Sequence, residues 1–323
     1  MLDLIATPDN PIPPGATPLS VVTRDGRRLR AASFAPPGEA RGTVAVFQGR
    51  AEFIEKYFET IRDLLARGFH VVTLDWRGQG GSERELANPR KGHIDDFSFY
   101  QRDLEAFIAQ VMAPSHKEPW FALAHSMGGS ILLEQAHSRT RNSPFQRMVL
   151  TAPMIDIAGL RFPGIPRTLA DALDMLGLGA MYVPGGKDAS LLDKPFEGNE
   201  MTTDPARFAR NAGVLAAAPE LAIGDPTIGW ANAAFRQMQR FTLPDYAGRS
   251  RTPTLLVASG RDKIVANRPM ERFAQRIDVA SLIAIPGARH EILMERDELR
   301  EQFWAAFDAF IPGTVEEESR AAE

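Results

Sequence analysis

One serine in this chain stands where a hydroxyl can be made nucleophilic. Ser126 lies in Ala124-His125-Ser126-Met127-Gly128, directly after the apolar run 120–124 and directly before a helical pattern carried by Ile131, Leu132 and Leu133. A strand, a sharp turn with the serine at its tip and a helix make the nucleophile elbow, usually written G-x-S-x-G. The turn admits only small residues two before and two after the serine, because bulk there meets neighbouring backbone. Gly128 satisfies one position, and Ala124 stands at the other, one methyl group larger than the usual glycine. The first amides of the helix point back at the serine and favour an anion there. The alternative is an ordinary glycine-rich turn.

A serine hydroxyl is almost wholly protonated at neutral pH, so it needs a base and a group to orient that base. On an elbow-bearing sheet the partners come in the order serine, acid, histidine. Asp262 comes just past the next-to-last predicted strand, in Ser259-Gly260-Arg261-Asp262, and His290 just past the last, in Pro286-Gly287-Ala288-Arg289-His290. The carboxyl ends of parallel strands share one edge of a sheet, so the three side chains can converge. Of the six histidines, His70 begins a strand, His93 lies in a loop, His116 in a connector and His137 on a helix, while His125 neighbours the serine. Only His290 comes after the last strand. An acid after an earlier strand is the alternative to Asp262. An oxyanion also needs backbone donors. Met127 N–H directly after the serine is one candidate, and Arg50 N–H is the other, with Gly49 letting that backbone come close. The alternative for Gln48-Gly49-Arg50 is a plain strand-ending turn.

The elements that must position these groups read as a mostly parallel α/β sheet with helices on both faces. Asp25-Gly26 marks a hairpin within 20–35, after a proline-rich stretch over 1–18 that reads as an extended arm. Buried strands are predicted at 43–47, 70–76, 120–124, 147–153, 254–258 and 281–285, with helices at 55–67, 95–112, 269–276 and 295–310. Asp75-Trp76-Arg77-Gly78-Gln79-Gly80-Gly81-Ser82 reads as structural, with Asp75 and Arg77 tying neighbouring loops. The alternation lapses over 154–243, which has helical fragments at 165–178 and 205–218 and reads as a helical insertion capping the site. The core is then 1–153 with 244–314, with a charged tail, 315–323, predicted to be disordered. There is no internal repeat.

Composition narrows the function classes. The chain of 323 residues is 44% hydrophobic, enough for a sizeable core. A formal net charge of −4 offers no basic surface for nucleic acid. The absence of cysteine removes disulfides, thiolate metal sites and a cysteine nucleophile. No signal peptide and no membrane-length apolar run is present, so a soluble, cytoplasmic protein is expected, with peripheral membrane contact through the cap left open. Composition does not indicate the oligomeric state.

The segments GRAEFIEKY, LDWRGQGGSER, AHSMGG, TAPM, MTTDPARFARN, PELAIGDPTIGW, SGRDKIV and PGARHEILME resemble the α/β-hydrolase superfamily, in its lysophospholipase L2 and monoacylglycerol-lipase branch. They span most of 43–310, insertion included. Ala124 departs from the usual glycine, and Gln48 stands where monoacylglycerol lipases often carry histidine. The resemblance implies a serine carboxylic-ester hydrolase acting on a lipid with one acyl chain, without metal or organic cofactor. A monoacylglycerol lipase or small-ester esterase is the rival among enzymes. A catalytically dead fold that binds is the rival from another class. The apolar side chains of the insertion, Trp230 and Phe235 among them, together with Met154, are the expected wall of an acyl pocket, as are Leu169, Leu173, Leu176, Met181, Leu215 and Met238; the alternative for each is that it only holds the insertion together.

Overall fold

The computed structural model describes residues 3–139, 143–159 and 164–312. The predicted disordered tail lies outside them. Eight strands form one sheet in the order β1-β2-β4-β3-β5-β6-β7-β8. The hairpin β1 (Ala16–Val22) and β2 (Arg28–Phe34) is antiparallel and turns through Gly26 at φ 82°. β2 joins β4 (His70–Leu74) antiparallel, and every later pairing is parallel: β3 (Thr43–Phe47), β5 (Trp120–His125), β6 (Arg147–Thr151), β7 (Thr254–Ser259) and β8 (Ala280–Ile285). The β-branched and apolar runs of β3 to β7 make strands buried on both faces, as parallel sheets require, while β8 at the edge is partly exposed.

Strand alternation divides the core into two layers. Ala45, Phe47, Ala122, Ala124, Met148, Leu150 and Leu256 face one side; Val44, Val46, Phe121, Leu123, Val149, Leu255 and Val257 face the other. The second layer is covered by α1 (Phe58–Ala66) and α9 (Asp297–Phe310). A short 3₁₀ turn, Ile54–Tyr57, leads into α1. That helix ends at Gly68, φ 80°, where the Phe69 N–H reaches the Leu64 carbonyl and the Gly68 N–H the Leu65 carbonyl, a Schellman stop. The first layer is covered by α2 (Ser98–Phe107), which runs through a π-helical turn (Ile108–Met112) into α3 (Ala113–Ser115), and by α4 (Met127–Arg139) and α8 (Asn267–Ala274).

Between β6 and β7 the described chain has no strand and three helices: α5 (Gly164–Leu173), α6 (Pro205–Ala217) and α7 (Ile228–Phe241). A π-helical turn, Asp174–Leu178, extends α5. The attachments differ. Trp230, Ala233, Ala234, Phe235, Met238 and Phe241 of α7 belong to the same apolar cluster as one face of the sheet. α6 is tied by charge: Arg207 and Arg210 reach Glu59 of α1, which Arg300 of α9 also engages. α5 and its π-helical turn pack on α7 and leave Ile165, Leu169, Met175 and Leu176 in water.

The loop after β4 is structural, as its sequence suggests. Asp75, fully buried, accepts from Arg30, Gln48 Nε2, Ile54 N–H and Gly81 N–H. Gly80 sits over it at φ 54°, where a Cβ would stand 2.2 Å from the Asp75 carboxyl carbon. Arg77 pairs with Asp103 and Asp25. The N-terminal arm is pinned rather than loose: Ile5 N–H and Asn10 Nδ2 both donate to Glu55, and Leu4 is buried. Among the described residues no helix is long and apolar enough to cross a membrane.

Candidate active site

β5 delivers the chain to Ser126, whose φ of 49° is the left-handed conformation that a side-chain-bearing residue rarely adopts. The turn is held from both sides. Ser126 N–H donates to the Thr151 carbonyl at 3.0 Å, and the Ser126 carbonyl accepts from Ser130 and Met154 N–H. The small residue after the serine is a steric necessity, since a Cβ on Gly128 would stand 2.7 Å from the carbonyl oxygens of Phe47 and Gln48. At the other position the methyl of Ala124 packs into the core between Phe47 and Leu150, its neighbours in register.

The loops after β7 and β8 bring Asp262 and His290 to the same edge. His290 Nε2 lies 3.0 Å from Ser126 Oγ, and Nδ1 lies 2.8 Å from Asp262 Oδ2. The other Asp262 oxygen accepts from the Ile264 and Val265 amides. Burial opposes the Asp262 charge, but His290 and the two amides outweigh it, so its carboxyl sits below the ordinary range. An ionised Asp262 only accepts, which places a proton on Nδ1 and leaves Nε2 free to take one from Ser126.

The β3 loop faces this pair. Ala51 is left-handed at φ 62°, and the turn is trussed by side chains. Gly49 N–H donates to Glu52 Oε2 at 2.5 Å; Gln79 donates to the carbonyls of Gly49 and Glu52 and accepts from Ala51 N–H. The space at 49 is tight, since a Cβ would lie 3.0 Å from the Glu52 side chain and 3.1 Å from that of His125. Among the described residues, neither Arg50 N–H nor Met127 N–H has a hydrogen-bond partner. Both predicted donors are therefore available to a ligand. The Arg50 side chain turns away into the insertion, donating to the Gly224 carbonyl at 2.8 Å and lying 5.0 Å from the Trp230 ring centre. Burial lowers its pKa to about 10.

Glu52 also accepts from Tyr57 Oη at 2.7 Å and Lys56 Nζ at 2.8 Å; Lys56 in turn lies 2.6 Å from Glu291. Burial disfavours the Glu52 carboxylate, yet Lys56, His125 and these hydrogen bonds hold its pKa down to about 2. His125 packs its ring 4.7 Å from that of His290 and bonds Thr151 through Nδ1. Burial lowers its pKa to about 4.

Ser126 and His290 open on a cavity of about 550 Å³ between the sheet edge and the insertion. That volume suits a small-molecule site. Met154 and Trp230 line it, as expected. Phe235 does not: it is buried against the core, with Arg167 over its ring. The reason is helix phase. Five residues at about 100° each turn Phe235 roughly 140° away from Trp230 on the same helix. Leu215 and Met238 are likewise core, and Leu169, Leu176 and Met181 face water. The apolar wall comes instead from Ile157, Leu191, Leu192, Phe208, Ile264 and Val265. Of these, Leu191 and Leu192 lie on a single 3₁₀ turn, Leu191–Asp193, whose sequence has no periodicity to reveal it.

Comparison with known proteins agrees with this architecture. Residues 38–297 match the family described as "Serine aminopeptidase, S33". The chain is 33% identical over 272 residues to lysophospholipase L2 of Escherichia coli strain K12, covering 80% of this chain and 76% of that protein. It is 29% identical to the probable lysophospholipase L2 of Haemophilus influenzae, covering 85% of each. Among solved structures, a monoglyceride lipase of Saccharomyces cerevisiae in complex with a substrate analog superimposes with a TM-score of 0.73 at 19% identity, covering 91% of this chain and 95% of that one. The chain belongs to this family of α/β-hydrolase serine hydrolases.

Proposed function

We propose that this serine ester hydrolase is a lysophospholipase, releasing the fatty acid from a lipid with one acyl chain. Ser126 Oγ attacks the ester carbonyl while His290 Nε2 takes its proton. Asp262 holds the imidazole and stabilises its charged form. The Arg50 and Met127 amides receive the oxyanion of the tetrahedral intermediate. His290 then returns the proton to the leaving alcohol, and a water activated by the same nitrogen cleaves the acyl-serine. Residues 154–243 act as the cap and residues 1–153 with 244–314 as the catalytic core.

The observation that carries this reading is the hydrogen-bonded series Ser126–His290–Asp262 at the wall of a cavity lined by Met154, Leu191, Leu192, Phe208 and Trp230. An acyl tail fits such walls; a second tail would crowd the cap or stay in water. Lys194 lines the same cavity, is exposed and has no ion-pair partner among the described residues, which favours a phosphate-bearing head over a bare glycerol. The names of the Escherichia coli and Haemophilus influenzae relatives point the same way. The exposed Ile165, Met175 and Leu176 on the cap suit peripheral contact with a lipid surface.

The test is kcat/KM across acyl esters of increasing chain length below micelle formation, then one-chain and two-chain phospholipids and a monoglyceride in matched detergent. An aminoacyl amide tests the peptidase chemistry in the family's description. Long single chains with a phosphate head are the expected best substrates. Preference for acetyl esters, or for the amide, would remove the lysophospholipid reading. A monoglyceride turned over faster than the matched lysophospholipid would move the assignment to monoacylglycerol lipase.

A further inference from the structure

Lys56 joins two loops that the chain keeps far apart. Its Nζ lies between Glu52 Oε1 at 2.8 Å and Glu291 Oε1 at 2.6 Å, the latter 235 residues away. Glu52 is the side chain that holds Gly49 N–H, one residue before the Arg50 amide. Glu291 is the residue directly after His290. All three charged groups line the same cavity as Ser126 and His290. Glu52 and Lys56 are each 4% exposed. Charges taken this far out of water add little net stability, because desolvation offsets their attraction. What the trio supplies is placement.

We propose that Glu52 and Lys56 are a positioning pair, which fixes the Arg50 amide relative to His290 so that oxyanion donor and base keep one geometry. The inference rests on the roles given above to Arg50 N–H, Ser126 and His290. Two physical effects support it. First, the Gly49 N–H is fixed by a charge-assisted bond, and Tyr57 Oη and Lys56 leave the Glu52 carboxylate little freedom to rotate. The Arg50 amide inherits that restraint through one peptide unit. Second, a carboxylate this close to a forming oxyanion would repel it. Lys56, shared with Glu291, offsets the Glu52 charge in part, and its loss would leave two unpaired carboxylates beside the hole. A lysine serving only to recognise a head group would instead be free to meet the ligand, whereas both carboxylates already occupy this one.

The test compares Lys56→Met, Glu52→Gln and the charge-keeping Lys56→Arg with the parent enzyme on a soluble long-chain ester. Displacing an oxyanion donor costs on the order of 10²-fold in rate. We expect kcat to fall about that far in Lys56→Met, with KM within a few-fold, less in Glu52→Gln, and largely to recover in Lys56→Arg. A long-chain trifluoromethyl ketone, which forms a tetrahedral adduct, should lose affinity by the same factor, while the fatty-acid product binds as before. Urea unfolding of each variant separates misfolding from misplacement. If Lys56→Met does not fold, Glu52→Gln and Glu291→Gln carry the same kcat and ketone measurements. Unchanged kcat in folded variants, or equal losses for ketone and fatty acid, overturns the positioning role alone. Hydrolysis that survives Ser126→Ala overturns the underlying site instead.

Discussion

The guanidinium of Arg50 lies 5.0 Å from the centre of the Trp230 ring. The residue proposed to supply an oxyanion amide thus sends its side chain into the insertion, and the insertion answers with an aromatic face that also lines the cavity. Trp230 is itself set by its helix start, where Thr227 accepts its N–H, and by a bond from Nε1 to Tyr100 Oη. Removing the ring therefore touches both substrate wall and oxyanion loop. Trp230→Ala should lower kcat/KM for a long-chain ester about tenfold, from a cation–π contact of about 1 kcal/mol plus lost apolar area. An acetyl ester should feel only the first part. Equal losses on both esters would separate Trp230 from the acyl wall.

Asp262→Asn should lower kcat by roughly 10⁴-fold, as an orienting carboxylate does in a serine triad, because an amide no longer enforces the proton on Nδ1. Combined with His290→Ala the loss should not multiply, since the three groups act as a unit. Steady-state turnover of the single and double variants checks this. A drop of only a few-fold would assign the orienting role to another acid.

His125 gives a stability prediction with a definite sign. Burial lowers its pKa to about 4 against 6.5 for the free group. The unfolded chain binds the proton first, so stability is complete above pH 6.5 and declines as pH falls toward 4. The loss over that window is on the order of 3 kcal/mol for this group. His70, half-buried against His116, moves in the same direction. Urea unfolding at pH 7.5 and 4.5 should show a smaller difference in His125→Asn than in the parent protein. An identical difference would contradict the burial argument.

Glu59 should behave in the opposite ionic sense. Burial disfavours its charge, but Arg207, Arg300 and Arg210 outweigh that and hold its pKa at about 2. Its contribution is present above pH 4.5 and disappears as pH falls toward 2. Glu59→Gln should therefore cost about 2 kcal/mol at neutral pH, a shift of several degrees in Tm, and should flatten the acid limb. Differential scanning calorimetry at pH 7 and 3 measures both. Because Arg207 and Arg210 lie on α6, hydrogen exchange there should quicken in the same variant.

The placement of the proposed reacting groups was legible because topology dictates it. The apolar runs 254–258 and 281–285 mark strands, parallel strands end on one edge, and Asp262 and His290 stand in the loops just beyond those ends. Gly128 was legible because the Phe47 and Gln48 carbonyls leave room only for glycine, whereas the neighbours of Gly49 are the side chains of Glu52 and His125, which the fold brings to it. The cavity wall was not, for two reasons. Leu191, Leu192 and Phe208 come from elements too short or too far apart to share a period, and apolar content cannot tell Trp230 from Phe235 without the helix phase. The Lys56–Glu291 link joins residues with no local relation, so only the fold brings them into contact. The N-terminal stretch read as an extended arm from its prolines, but its anchoring to Glu55 through Ile5 and Asn10 has no local signal.

The insertion's unequal attachments bear on how this scaffold can be rebuilt. Its last helix shares one hydrophobic interior with the sheet, so excising 154–243 would strip cover from Phe97 and Tyr100, which pack on Trp230 or bond to it. The insertion is continuous along the chain yet is no detachable module. The part fit for exchange is the stretch of α5 and its π-helical turn, whose outer side chains already meet solvent and whose inner contacts rest on α7. Grafts confined to that stretch would vary what the enzyme leans against while leaving the sheet, the elbow and the Arg50 loop unaltered.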